Sequence, residues 1–599
     1  MKKLVLLVIV VLLGSCAAPK ERIPDTMPVT QSSSSKVVIY QVLTRLFGNT
    51  NATNKKFGTI QENGVGKFND INDAALASIK QLGVSHVWYT GVLEHAVLTD
   101  YSGEGIPLDD ANVVKGRAGS PYAIKDYYDV NPDLAVEVKN RVGEFEQLVD
   151  RTHKAGMKVI IDFVPNHVAR SYHSDVRPEG VKDLGEGDDM TVGFSRDNNF
   201  YYLPGQDFQP PRDYVPLGGE AFPNKDHKFT ESPAKATGND VFSATPNIND
   251  WFETVKLNYG VDIQNNRQKH FDPVPSTWTK MLDILAYWTR KNIDGFRCDM
   301  AEMVPVEFWQ WAIPQIKAIN PDIIFVAEVY NPHVYRAYIE QGRFDYLYDK
   351  VQLYDTLRLL INQKARSTDV PGIQRSLEGI NHHMLHFLEN HDEQRIASKF
   401  FAGDPWKAVP GMAVSALIDK GPVMIYFGQE VGEPGSAIEG FSGDDGRTTI
   451  YDYWGVTEHQ KWVNNKLYDG GQLSPDLQAL RQFYGDLMTL CSTNTAITNG
   501  DYFDLTQANV DSNNCTDHHV VFGRSDGTEK LIIVAGFGTK TERIKVKLTD
   551  EAIQKMGLEP NGQYIARDLL RSGTDVGFDA QFQFEIDMPP YSVFILKVK

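Results

Sequence analysis

Four short stretches of this chain place a carboxylate directly behind an apolar run. Lys158-Val159-Ile160-Ile161 ends at Asp162, and Ile293 to Cys298 ends at Asp299. Ile323 to Ala327 ends at Glu328, and Met384 to Leu388 leads into Asn390-His391-Asp392. One acid behind one strand is usually a helix N-cap or a solvated turn. Four such ends aimed at a common face make coincidence a poor account. Several carboxylates gathered at one mouth suit either a metal site or acid/base chemistry on a glycosidic bond. Arg297 stands two residues before Asp299, on the same side of an extended strand, where it would help keep that carboxylate ionised. A purely structural ion pair between the two is compatible with that role.

The elements that must position these acids alternate in type from Val37 onward. Val142, Phe145, Leu148 and Val149 have helical spacing and stop at Gly156, ahead of the strand Lys158 to Asp162. Met281, Leu282, Leu285 and Trp288 lead in the same way into Ile293 to Asp299, and Phe308 to Ile319 into Ile323 to Glu328. Further strands are expected at Val37–Val42, Val84–Trp88, Phe344–Leu347, Met384–Leu388 and Pro422–Phe427. Eight strands separated by helical segments predict an α/β fold, a (β/α)8 TIM barrel, whose strand C-termini converge on one mouth. Its catalytic barrel is expected over residues 37–167 and 259–498. Residues 168–258 are rich in Gly, Pro, Asp and aromatics with weak periodicity, which predicts a subdomain inserted after strand 3. Over 499–599 the pattern turns to alternation, as at Phe582, Phe584 and Ile586, with a hairpin turn at Asp526-Gly527. A C-terminal antiparallel β-sandwich domain follows from that.

At 599 residues the chain is long enough for about four average domains, though a single α/β barrel takes up 250 or more. A net charge of −18 argues against nucleic acid or an anionic membrane face as the main partner. Four cysteines exclude a disulfide scaffold. Lys2 and Lys3 followed by Leu4 to Leu13 read as an export leader, since that apolar run falls short of the about 20 residues a membrane span needs. It ends in Leu13-Gly14-Ser15-Cys16, which resembles the lipobox of bacterial lipoproteins. Residues 1–16 would then be a signal peptide with Cys16 the lipidated residue, and 17–36 a flexible tether. The expected location is the cell envelope, anchored by lipid to the outer membrane on its periplasmic or surface face. Export permits disulfides, so Cys491 and Cys515 are a candidate pair, while Cys298 reads as a buried free thiol.

The motifs resemble those of the α-amylase family, glycoside hydrolase family 13. The four stretches are Asp162-Phe163-Val164-Pro165-Asn166-His167, Asp294-Gly295-Phe296-Arg297-Cys298-Asp299, Val326-Ala327-Glu328 and Phe387-Leu388-Glu389-Asn390-His391-Asp392. They occur in the family's order, and the likeness runs from Ile39-Tyr40-Gln41-Val42 to the β domain. The resemblance implies Asp299 as nucleophile, Glu328 as general acid/base and Asp392 as the acid that stabilises the transition state. A retaining glycosidase needs the first two about 5–5.5 Å apart, one ionised and one protonated. Crowded anions are expected to raise the pKa of Glu328. The resemblance further implies that His167 and His391 hydrogen-bond the sugar, with Arg297 beside them, and that Tyr122 stacks on it.

For a metal, Asn166 matches the asparagine that ligates structural Ca2+ in many relatives, with a partner to be chosen among Asp183, Asp188, Asp189 and Asp197. Asn49, Asn51 and Asn54 resemble a calcium loop of cyclodextrin-forming members, and an Asn-rich turn explains them equally well. His382, His383 and His386 are expected to pack rather than bind metal. Where many members carry Lys-His after the nucleophile, this chain has Met300 to Val304, so Glu302 is either a contact on the leaving-group side or a solvated helix start. Val255-Lys256-Leu257-Asn258 resembles neopullulanase-like and maltogenic members. The expected activity is retaining hydrolysis of α-1,4 bonds in starch-like glucans or malto-oligosaccharides. The alternatives are a glucan transglycosylase or isomerase on the same barrel, and an inactive starch-binding lipoprotein.

Overall fold

A computed structural model describes residues 35–223, 226–570 and 575–599. The signal peptide, Cys16 and all but the last two residues of the expected tether lie outside the described residues. Lys36 is not part of a loose tether: it is buried, and its ammonium donates to the carbonyls of Ala416 and Asp419 at 2.7 and 2.8 Å.

Eight parallel strands form the barrel: β1 Val38–Leu43, β2 His86–Thr90, β3 Lys158–Phe163, β4 Gly295–Cys298, β5 Ile324–Ala327, β6 Tyr346–Tyr348, β7 Met384–Leu385 and β8 Val423–Tyr426. Each pairs with the next, β8 pairs back onto β1, and a bridge between His386 and Val423 joins β7 to β8. The strands read as apolar runs because helices cover the barrel outside and side chains fill it inside. Helix α1, Arg141–Lys154, turns Phe145, Leu148 and Val149 inward and ends at Gly156, whose φ of +74° belongs to the left-handed region. On β4, Gly295 has no room for a side chain: a Cβ would lie 2.7 Å from Ile324 and 3.1 Å from Ile160 on the flanking strands.

The insertion follows β3. It begins as the strand His167–Ala169, paired antiparallel with Thr254–Lys256, and its described residues include a two-residue ribbon, Tyr202–Leu203 with Ala234–Lys235. Turns and loops, tied by contacts such as the buried Arg170–Glu231 pair at 2.6 Å, make up most of the rest.

Beyond helix α2, Pro475–Thr493, the chain becomes antiparallel. The strands are β9 Asp501–Asp504, β10 His519–Ser525, β11 Lys530–Gly536, β12 Glu542–Lys547, β13 Ile565–Asp568, β14 Asp575–Gly577, β15 Gln583–Met588 and β16 Ser592–Val598. They form a sheet ordered β9-β10-β11-β16-β13-β14 and a second pair, β12-β15. Between them lies a separate core that includes Val521, Ile532, Phe584, Ile586 and Phe594. Gly527, at φ +88°, makes the turn between β10 and β11. Buried Arg524 fastens the sheet to the barrel by donating to the carbonyls of Leu417, Ile497 and Gly500 at 2.8–3.0 Å.

The structure corrects the cysteine pairing. Cys298, Cys491 and Cys515 are all free and buried. Cys491 lies against the Ala416 carbonyl on the barrel side and Cys515 against that of Lys545 in the C-terminal core, so the two thiols face different interiors.

Candidate active site

Arg297 on β4 organises the barrel mouth. Register sets it between Asp162 of β3 and Val326 of β5. Its Nη1 donates to Asp299 Oδ1 at 2.7 Å and lies 3.6 Å from Asp162 Oδ1, while Nη2 pairs with Glu328 Oε1 at 2.8 Å. The Nε donates to the Tyr348 hydroxyl at 3.2 Å, and the rings of Trp88, Tyr122 and Tyr348 surround the guanidinium at 5.3–5.4 Å. One planar fork therefore holds Asp299 and Glu328 side by side. Burial pushes the Asp299 carboxyl upward, and Arg297 opposes it.

Glu328 accepts two hydrogen bonds besides its ion pair with Arg297. The backbone N–H of Met300 donates to Oε2 at 2.7 Å, and Tyr330 donates its hydroxyl to Oε1 at 2.6 Å, beside Arg297. Met300 reaches that position with a φ of +42°, so the turn after the nucleophile strand is bent to meet the acid on the next strand. The Glu328 pKa is raised, as the sequence led us to expect, but burial is the larger cause and the neighbouring anions Asp299 and Asp392 add to it. A hydroxyl can accept as well as donate, so Tyr330 can partner this carboxyl in either protonation state.

Asp392 is paired from its own loop. His391 Nε2 lies 3.0 Å from Asp392 Oδ2 and 2.6 Å from the Tyr122 hydroxyl. On the far side of the ring, Gln41 of β1 donates to Nδ1 at 2.8 Å, which leaves the ring proton on Nε2, facing the mouth. The Tyr122 ring lies beside that of His391, with centroids 5.1 Å apart and planes tilted by 31°. For Asp392 the cost of desolvation is outweighed by His391, Arg297 and Arg447, and its pKa falls below the ordinary value. Burial also pushes Asp162 upward, so three acids of the mouth are raised and Asp392 alone is lowered. His167 is buried, which holds its pKa near about 3 and the ring neutral; Asn166 Nδ2 lies 3.0 Å from its Nδ1.

The structure thus brings Asp299, Glu328, Asp392, Arg297, Tyr122 and His391 into one connected network, with His167 on the strand that opens the insertion. Sequence reasoning missed Tyr330, Gln41, Trp88 and Tyr348 as members. Tyr330 carried a usable signal, since it stands two residues beyond Glu328. The other three lie within strands, where nothing in the local sequence separates them from core residues. Glu302 accepts from the Asn331 backbone at 3.1 Å and so braces the loop after β5.

The expected calcium positions do not fit the ion. Ca2+ takes six to eight oxygens, but Asn166 Oδ1 is bound by the ammonium of Lys256, which also pairs with Asp240 Oδ1 at 2.7 Å. The insertion supplies Asp240 here. Asp188 and Asp189 instead bind backbone or side-chain groups of their own loop, Asp183 the backbone of Ser174 and Asp197 the side chain of Arg196. Asn49 and Asn51 make Asx turns, accepting the N–H of Asn51 and Thr53, and their amide nitrogens donate to Asn63, Trp454 and Glu62 carbonyls. Asn54 exchanges two hydrogen bonds with the Gly455 backbone. Their oxygens are taken by N–H donors, so these asparagines pin a turn. The histidines do not converge on one point: His383 Nδ1 lies 2.7 Å from the Asp345 carbonyl, and His386 is buried between Asp349 and Asp419 at 3.3 and 2.8 Å.

Residues 41–467 match the family described as Alpha amylase, catalytic domain. The chain is 24% identical over 400 residues to Alpha-amylase 3 of Dictyoglomus thermophilum, covering 63% of this chain and 68% of that protein. It is 22% identical over 518 residues to a cyclomaltodextrinase of Geobacillus thermopakistaniensis, covering 85% and 70%. In fold it is similar to the α-amylase from Geobacillus thermoleovorans complexed with acarbose, at a TM-score of 0.60 and 17% identity over 94% of this chain and 98% of that one. With a match over most of its length and four acidic strand ends gathered at one barrel mouth, this chain belongs to the α-amylase family.

Proposed function

We propose that the protein hydrolyses α-1,4-glucosidic bonds of starch-like glucans or malto-oligosaccharides with retention of configuration. The observation that carries this reading is the fork of Arg297, which sets Asp299 and Glu328 next to each other while Asp392 is paired separately with His391. Asp299 attacks the anomeric carbon as that carbon's bond to the leaving oxygen breaks, and Glu328 gives that oxygen its proton. Water then attacks the glycosyl ester, Glu328 takes the water's proton, and the Asp299 carboxylate is released. Asp392 stays ionised beside His391 and stabilises positive charge developing on the sugar ring. Tyr122 offers its face to the sugar in the cleavage site, beside His391 and His167.

The relatives include an amylase and a cyclomaltodextrinase, which supports α-glucans as the substrate class. The leader Lys2 to Cys16 supports export and lipidation at Cys16. The decisive experiment incubates the soluble form beginning near Ser35, beside its Asp299→Asn variant, with starch, pullulan, cyclodextrin and maltotriose. Oligosaccharide products from the unaltered protein alone, released first as the α-anomer by NMR, support the proposal. Retention on a starch column without products would make the protein a binder, and equal turnover by Asp299→Asn would remove the nucleophile assignment.

A further inference from the structure

The strand Thr254–Lys256 runs antiparallel to His167–Ala169, with Lys256 opposite His167. That register carries the Lys256 side chain to Asn166, the residue just before His167. There its ammonium binds Asn166 Oδ1, pairs with Asp240 Oδ1 at 2.7 Å and reaches the Met303 carbonyl at 3.5 Å. These three oxygens come from the end of β3, from the insertion and from the turn that follows the nucleophile strand. The ammonium thus donates to two of these oxygens and is ion-paired with the third.

We propose that Lys256 is a built-in cation that takes the place of a divalent ion at this junction, and that it acts as a positioning residue for His167. The charge arithmetic favours the side chain. Of the three oxygens that meet the ammonium only Asp240 Oδ1 belongs to a carboxylate, and the second oxygen of Asp240 already meets Arg267 at 3.4 Å. A divalent ion added at Asp240 would meet the ammonium and the guanidinium already paired with its two oxygens. The link to His167 is short: Lys256 fixes Asn166 Oδ1, and this orients Nδ2 toward the Gly238 carbonyl at 2.8 Å and His167 Nδ1 at 3.0 Å. Loss of the ammonium frees the Asn166 amide to rotate and removes the hydrogen bond that leaves the His167 proton on Nε2. Lys256 also walls a cavity of about 160 Å³ with Arg267, Glu302 and Met303, so its removal opens the cage to solutes.

The test compares melting temperatures and kinetics of the wild type, Lys256→Met and Lys256→Ala. Wild-type protein is expected to melt at the same temperature in EDTA and in millimolar calcium chloride. Lys256→Met keeps the bulk of the stem but no charge; it should melt lower, and its KM for maltoheptaose should rise by a larger factor than its kcat falls. Lys256→Ala should recover melting temperature on addition of ethylammonium, which restores the charge without a covalent link. A wild-type melting temperature that falls in EDTA, a Lys256→Met variant with wild-type stability and KM, or no recovery of Lys256→Ala by ethylammonium would each overturn the proposal. The kinetic readout rests on the glucan-hydrolase reading above, whereas the melting temperatures do not, so failure of one is distinguishable from failure of the other.

Discussion

Replacing Arg297 with methionine removes the one guanidinium shared by Asp299 and Glu328 and leaves a side chain of similar length among Trp88, Tyr122 and Tyr348. Breaking a buried ion pair by deleting one partner costs about 3–5 kcal/mol. The variant has one escape, which is to protonate a carboxyl. Charging a group that ordinarily titrates near about 4.3 with a proton at pH 7 costs about 1.36 × (7 − 4.3), or about 3.7 kcal/mol. That sets a ceiling near 4 kcal/mol at pH 7, and the same arithmetic gives about 1 kcal/mol at pH 5. The sign follows from linkage: in the variant the folded state holds a proton that the unfolded state releases, so its stability deficit shrinks as pH falls. The assay is urea unfolding of wild type and Arg297→Met at pH 5 and pH 7, with the wild type's own pH dependence subtracted. A deficit equal at both pH values, or no deficit at pH 7, would refute the claim that this arginine neutralises two buried acids. Turnover at pH 7 should fall by more than about a hundredfold, since the trapped proton disables either the nucleophile or its orientation.

Tyr330→Phe removes a donor that favours the ionised form of Glu328, leaving burial and the neighbouring acids less opposed. The basic limb of the pH profile of kcat/KM should therefore move to higher pH, and a shift to lower pH would contradict this geometry. Tyr122→Phe keeps the ring but loses the hydroxyl contact to His391; a hydrogen bond of about 0.5–1.5 kcal/mol predicts a two- to tenfold fall in kcat/KM on maltoheptaose, with the melting temperature little changed. His386 has its pKa raised to about 9 because Asp349 and Asp419 outweigh burial. Its contribution to stability is complete below about 6.5 and is lost as pH rises through about 9. Melting temperature should fall across that window in the wild type, and His386→Gln should be less stable at pH 6 and show a flatter profile above it.

The barrel and the acids at its mouth were legible in the sequence for a local reason. A parallel strand buried on both faces reads mostly as an apolar run, so Asp299 and Glu328, each directly behind β4 or β5, and Asp162, one residue before the end of β3, stand out from their neighbours. The pairing of Arg297 with Asp299 was equally local, because two residues along a strand return to the same side. The short strands β6 and β7, with three and two residues, overlap the longer expected runs Phe344–Leu347 and Met384–Leu388 by two residues each, since a run shows apolarity and not where the ladder bonds start and stop.

What the sequence determined alone, then, was the order of elements and the residue types delivered to the mouth, both properties of local pattern. Which groups meet there was decided by tertiary structure. Tyr122 and His391 are 269 positions apart, Gln41 and His391 350, and Asn166 and Lys256 90. The same limit explains the calcium expectation. Asn166 offers an oxygen that suits a divalent ion, and only the antiparallel register of His167–Ala169 with Thr254–Lys256 brings the Lys256 ammonium to that oxygen first. Cys491 and Cys515 lie close in sequence, yet the chain between them crosses from the barrel to the C-terminal core, and a thiol pairs with what is near it in space. Charge and hydrogen-bond complementarity act over a few ångströms, so distances along the chain cannot reveal them until the fold has brought the partners together.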